Sequence, residues 1–142
     1  MSMQTNRHIV HRILEEFWQS YGDNPAVIDE LFAADYVNHD LSNPAVRGIE
    51  AFKQWAGAIR ASWSKGFPDY RIAIEDLVAE DDKVAKRWTF RGTHTGEFMA
   101  IAPTGKQVMM RAVTIYCFAD GKVQEIWWNY DALGLMQQLG AK

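Results

Sequence analysis

The sequence predicts an α+β fold in which N-terminal helices pack in the concave face of a curved antiparallel sheet. Three observations carry this expectation. Apolar residues recur at three-to-four spacing as far as Trp63, then switch to alternation from Tyr70 onward. The helical and strand segments come in two blocks instead of interleaving, which is the order of α+β folds. The chain has 142 residues, 48% of them hydrophobic, and no repeat, linker or low-complexity tract. It therefore reads as a single domain over residues 1–142, large enough to bury roughly two-thirds of its unfolded surface.

The elements follow in order. Ile9, Ile13, Phe17 and Tyr21, with Val10, Leu14 and Trp18 beside them, make one wide helical face. Thr5 or Asn6 can cap its start, and Gly22-Asp23-Asn24-Pro25 stops it. A short second helix carries Val27, Ile28, Leu31 and Phe32. It gives way to an extended polar segment, Asp35 to Asp40, and a Ser42-Asn43-Pro44 turn. A third helix from Gly48 presents Phe52, Trp55, Ala56, Ile59 and Trp63. Tyr70, Ile72 and Ile74 then alternate with Arg71, Ala73 and Glu75, the period of a strand. Strands are expected at Val84–His94, Val108–Phe118 and Val123–Tyr130, the last two joined through Asp120-Gly121, a strong hairpin signal. Ala132, Leu135, Met136 and Leu139 mark a closing helix.

The Asp-Gly turn sets an expected register. With Ala119 opposite Lys122, Phe118 faces Val123, Tyr116 faces Glu125, Thr114 faces Trp127 and Ala112 faces Asn129. By alternation Asp131 joins this mixed face of hydroxyl, amide, carboxylate and indole groups. Such a mixture suits a ligand pocket better than a packed core. The other face, with Val113, Ile115, Cys117, Ile126 and Trp128, is aliphatic and dry apart from Arg111 near Tyr130. A homodimer through this outer sheet face is the expectation.

Composition excludes several classes. A net charge of -3 and a pI near 5.8 offer no electrostatic grip on nucleic acid. No apolar run approaches the ~20 residues that span a bilayer, and no signal peptide opens the chain, so a cytoplasmic location is expected by default. Cys117 is the single cysteine, which rules out an intrachain disulfide. His8 and His11 flank the apolar face of the first helix without a carboxylate to complete a zinc set, so no metal site is expected. Aromatic residues reach 13%, enough to build both a core and the walls of a pocket for a small flat molecule.

The run Asp131-Ala132-Leu133-Gly134-Leu135-Met136-Gln137-Gln138-Leu139-Gly140 strongly resembles the C-terminus of the SnoaL-like polyketide cyclases. Gly92-Thr93-His94-Thr95-Gly96 with Pro103-Thr104, Tyr36-Val37-Asn38, Gly48-Ile49-Glu50-Ala51-Phe52 and Asp120-Gly121-Lys122-Val123 extend the similarity along nearly the whole chain. The resemblance implies the cone-shaped fold shared by nuclear transport factor 2, the ketosteroid isomerases and scytalone dehydratase. It also implies an intramolecular aldol ring closure without cofactor or metal, with Asp131 as general acid/base and Asn38 in the pocket region. Thr114 departs from the pattern, because some of those cyclases carry a His there. His39 or His94 is then a candidate for the missing polar group.

The candidate site is therefore Asp131 and His39 for catalysis, with Asn38, Trp63, Trp88, His94, Thr114, Trp127 and Asn129 around a small-molecule substrate. Each has a plainer alternative. Asp131 precedes a helix and would serve as its N-cap. His39 would brace a loop, His94 would hold a glycine-bounded turn, and the tryptophans would be core. Glu125, opposite Tyr116, would be a buried carboxylate in need of a hydrogen bond. The leading function is a cofactor-independent cyclase or isomerase acting on an enolisable polycarbonyl. The alternative is a non-catalytic binder of an apolar metabolite. An epoxide hydrolase ranks last, because no Arg-x-Asp lies on the long strands.

Overall fold

The structure, a computed structural model, describes residues 2–19, 24–40 and 46–140. Helix α1 spans Met3–Ile13 and passes directly into a π-helical turn, Leu14–Trp18. Its cap is Ser2, whose Oγ accepts the Thr5 N–H at 3.0 Å, so the helix begins ahead of the expected Thr5 or Asn6. The wider π turn keeps both Phe17 and Trp18 buried. Its loosened carbonyls are met from outside. Arg60 donates to Phe17 O at 2.7 Å and to Gln19 O at 3.3 Å, and the Tyr70 hydroxyl donates to Trp18 O. The expected helix stop at Gly22-Asp23 and the Ser42-Asn43-Pro44 turn lie outside the described residues.

Helix α2 (Ala26–Leu31) runs into strand β1 (Phe32–His39), and α3 covers Ile49–Gly66. Strands β2 (Arg71–Glu80), β3 (Lys83–Thr93), β4 (Gln107–Ala119) and β5 (Lys122–Tyr130) follow, and α4 (Ala132–Gln138) closes the fold. The five strands form one curved, unclosed sheet in the order β1-β5-β4-β3-β2. Phe17, Phe32, Tyr36, Phe52, Trp88, Phe90 and Tyr116 are buried in the core between the helices and the concave face. No helix among the described residues is long and apolar enough to cross a membrane.

Two departures from the sequence expectation matter for the site. The segment before Asp40 is a strand, and it pairs with β5 in parallel, so the sheet is mixed instead of purely antiparallel. Its polar residues disguise it: Tyr36, Asn38 and Asp40 are the buried set, while Asp35 and His39 turn outward. The second departure is a β-bulge in the β4–β5 hairpin. Ala119 pairs with Lys122 and Phe118 with Val123 as expected, but Cys117 then pairs with Glu125, which leaves Gln124 as an extra residue. The Gln124 amide is spent on β1, donating to Asp35 O at 3.2 Å and to Asp35 Oδ1 at 3.1 Å.

One inserted residue reverses every later side chain of β5. Tyr116 now pairs with Ile126, Thr114 with Trp128 and Ala112 with Tyr130. Thus Ile126, Trp128 and Tyr130 join the concave face, and Glu125, Trp127 and Asn129 face outward. The expected faces are correct for β4 and for Val123, and inverted for β5 beyond Gln124.

Candidate functional site

A cavity of about 470 Å³ opens between the helices and the lower half of the concave sheet. Five of the six tryptophans line it: Trp18 from the π turn, Trp55 and Trp63 from α3, Trp88 from β3 and Trp128 from β5. Their rings pack against one another, Trp18 on Trp63 at 5.6 Å, Trp18 on Trp128 at 5.5 Å and Trp63 on Trp88 at 6.3 Å between centroids. Ile59, Phe98, Met110, Leu135 and Met136 complete the walls. Met99 and Leu133, 66% and 70% exposed, stand at the rim. Among the described residues, no charged side chain lines the space. This is a surface for a flat, largely apolar molecule.

Polar groups meet the aromatic wall from behind. Tyr130, which lines the cavity, donates its hydroxyl to Asp40 Oδ2 at 2.9 Å. Asp40 is 5% exposed and is the single buried carboxylate among the described residues. Asn38, also buried, uses Oδ1 to accept from the Tyr36 hydroxyl at 2.7 Å and from the Trp128 indole N–H at 2.6 Å. Asn38 therefore fixes the tilt of a wall residue without lining the cavity itself. Thr114 does the same for Trp88, whose indole N–H donates to Thr114 Oγ1 at 2.8 Å. Lys86 lies behind Trp88, its ammonium 5.4 Å from that ring centroid and 5.3 Å from the centroid of Tyr116. Burial without a neighbouring carboxylate pushes this amine down to about 7. Burial pushes the Tyr116 and Tyr36 hydroxyls upward.

Of the sequence candidates, the structure brings Trp63 and Trp88 to the cavity and places Asn38 and Thr114 directly behind it. The bulge carries Trp127 and Asn129 away. They point to the convex face, where His39 stacks on Trp127 at 4.8 Å and bonds Glu125 Oε2 at 2.8 Å. Glu125 thus takes His39 as its partner in place of the expected Tyr116, whose buried hydroxyl has no hydrogen-bond partner among the described residues. His94 is buried in the loop between β3 and β4. Its Nδ1 lies 2.9 Å from Thr104 Oγ1 and accepts the Thr104 N–H, and its ring packs on Phe67. It orders that loop and does not line the cavity.

Asp131 is exposed and caps α4, accepting the Gly134 N–H at 2.8 Å. Gly134 is tied to this arrangement, because a Cβ there would lie 2.2 Å from Asp131 Oδ2. The carboxylate is not part of the cavity wall, although both neighbours in sequence, Tyr130 and Ala132, are. Sequence reasoning missed Asp40, Lys86, Tyr130 and the roles of Trp18, Trp55 and Trp128. One signal was available: Val123, Ile126 and Trp128 break strict alternation, and the slip falls at the bulge.

The comparisons with known proteins agree with this architecture. The family model for SnoaL-like polyketide cyclases matches residues 8–139. Aklanonic acid methyl ester cyclase AcmA of Streptomyces galilaeus is 31% identical over 117 residues, 75% of this chain and 76% of that one. Among solved structures, a Jannaschia sp. CCS1 protein described as a SnoaL-like polyketide cyclase superposes with a TM-score of 0.80 at 30% identity, covering 99% of this chain and 94% of that one. TsrD of Streptomyces laurentii gives 0.79 at 29%, covering 100% and 99%. AclR of Streptomyces galilaeus, described as a hydroxylase, gives 0.81 at 28%, covering 98% and 83%. With the family model spanning most of its length and the same helix-filled sheet in its fold, the chain belongs to the SnoaL-like polyketide cyclases.

Proposed function

We propose that the protein is a cofactor-independent cyclase closing a ring in a flat, enolisable polycarbonyl substrate by intramolecular aldol-type addition. The observation that carries this reading is the tryptophan-walled cavity, uncharged and backed by a few oriented polar groups. Aromatic walls fold the reacting chain and exclude water, so the enolate carbon and the carbonyl it attacks are held at close range. Little binding energy then goes to hydration of the enolate, and oriented donors and acceptors act on charge that grows in the transition state. The family membership and the AcmA relative support a cyclase. AcmA acts, by its name, on aklanonic acid methyl ester.

Asp131 is proposed as a general acid/base, the role implied by the family resemblance. In sequence it lies between two cavity-lining residues, its carboxylate caps α4, and acting on a substrate means exchanging the Gly134 N–H for a substrate proton. The test uses aklanonic acid methyl ester as probe, followed by chromatography and mass. An aldol closure gives a product of unchanged mass and altered absorption. Asp131→Asn is expected to lower turnover by about 100-fold or more. Unchanged turnover removes Asp131 from the chemistry, and saturable binding without any product favours the apolar-metabolite binder.

We also propose that a second copy of the chain covers the convex sheet face, where Val113, Ile115 and Trp127 form an apolar stripe. Sedimentation at micromolar concentration is expected to give a dimer, and a clean monomer contradicts it.

A further inference from the structure

Among the described residues, the buried carboxylate that stands one hydrogen bond behind the cavity wall is Asp40, not Asp131. Asp40 lies just past the end of β1 and is buried, and Tyr130 comes from β5, lines the cavity and donates its hydroxyl to Asp40. The direction of the bond matters. A tyrosine hydroxyl has one proton to donate and lone pairs to accept with. With its proton aimed at Asp40, Tyr130 meets a ligand as an acceptor. Among the described residues the other lining groups are indoles, aliphatic and thioether side chains, Phe98 and the Ser62 hydroxyl, so Tyr130 is the lining hydroxyl that a buried carboxylate backs.

We propose that Tyr130 and Asp40 form a proton relay that serves the cavity, with Tyr130 as the catalytic residue and Asp40 as the positioning, proton-holding residue behind it. This rests on the cyclase reading above and competes with Asp131 for the same proton, so the two assignments stand or fall separately. The substrate's activated C–H bond breaks and its proton passes to Tyr130 Oη, while the Tyr130 O–H proton passes to Asp40 Oδ2. The C–H electron pair becomes the enolate. After the enolate carbon bonds to the second carbonyl, the proton held by Asp40 returns through Tyr130 to the new alkoxide oxygen. Protons and electrons balance, and no co-reactant is needed. The bulge at Gln124 is what makes the relay possible, because without it Tyr130 would face the convex side.

Proton removal can be measured without the native substrate. The probe is 2-tetralone, a flat bicyclic ketone with activated C–H bonds next to its carbonyl. Its binding is read by quenching of tryptophan fluorescence, and its deuterium uptake in D2O by NMR. The wild-type protein is expected to bind the probe and accelerate exchange. Tyr130→Phe and Asp40→Asn are expected to slow the catalysed exchange by roughly 100-fold while Kd stays within about twofold. Asp40→Glu restores part of the rate, which a purely structural role for Asp40 would not require. Glu50→Gln, at an exposed ion pair with Lys53, leaves the exchange unchanged. Bound probe without accelerated exchange overturns the relay, as does full exchange activity in folded Tyr130→Phe. Loss of exchange in Asp131→Asn with normal rates in both relay variants assigns the proton to the α4-capping carboxylate instead. Failure of 2-tetralone and aklanonic acid methyl ester alike to bind removes the cavity reading on which the relay rests.

Discussion

Trp127 and Trp128 are neighbours in sequence and strangers in the fold. Trp128 is 7% exposed, sits in the cavity wall among Trp18 and Trp55, and is held by Asn38. Trp127 lies on the convex side, parallel to His39 at 7° between ring planes, beside the His39–Glu125 contact. The concave region is an indole-lined space backed by buried hydrogen bonds. The convex region is a half-exposed surface of ordinary side-chain pairs. A single unpaired residue, Gln124, decides which tryptophan goes where. Face assignment in a hairpin is therefore a property of the whole strand, and a correct turn secures only the pairs before the first bulge.

Deleting Gln124 breaks the comparison most completely. A regular register would send Trp127 and Asn129 inward and expose Ile126, Trp128 and Tyr130. No soluble, cooperatively unfolding protein is expected, and a folded deletion variant with native near-UV circular dichroism would show that the bulge does not control the faces.

The two tryptophans come next. Trp128→Ala is expected to cost about 3–5 kcal/mol, the range for emptying a large core site. Trp127→Ala should cost less than about 1 kcal/mol. Urea unfolding of the pair checks this, and equal losses would contradict the assignment.

Lys86 sharpens the same contrast through pH. Its native value is about 7, against 10.5 for the unperturbed side chain. Between these limits the unfolded chain binds a proton that the native chain has released. Native stability therefore rises with pH across that window, by at most about 1.4 kcal/mol per unit, and is flat with respect to Lys86 below it. Urea titrations at pH 6.5, 8 and 9.5 are expected to show this rise in the wild type. In Lys86→Met the rise disappears and the protein is more stable at pH 6.5. A wild-type stability that falls over this range is the opposite result.

Asp131→Ala is expected to cost about 1 kcal/mol of stability through loss of the α4 cap. Thermal unfolding of this variant separates the cap from any catalytic role, since Asp131→Gly should recover most of the loss in stability without restoring a proton acceptor.

Much of the architecture was legible in the sequence because it depends on local period. Phe52, Trp55, Ile59 and Trp63 could be placed on one side of α3, and Thr114 and Tyr116 on the inner face of β4, from spacing alone. What escaped depends on long-range pairing. Asp35 to Asp40 looks like a polar connector until β5 is laid beside it, and only then do Tyr36, Asn38 and Asp40 turn inward. Lys86 looks like a solvated charge on an alternating strand, although it follows Val84 and precedes Trp88 on the buried set. The bulge left only the slip between Val123 and Ile126. Asp131 shows a further limit. A family motif marked it and alternation pointed it at the pocket, but the structure shows the cap and puts Tyr130 and Asp40 on the cavity side.

The central claim is that substrate binds on the concave side, between the tryptophans and against Tyr130. A crystal structure with aklanonic acid methyl ester, or 2-tetralone in its place, measures this directly. The account predicts rings lying among Trp63, Trp88 and Trp128, with a ligand oxygen or its activated carbon in contact with Tyr130 Oη. Ligand density on the convex face against Trp127 and Asn129, with the cavity unfilled, would contradict it.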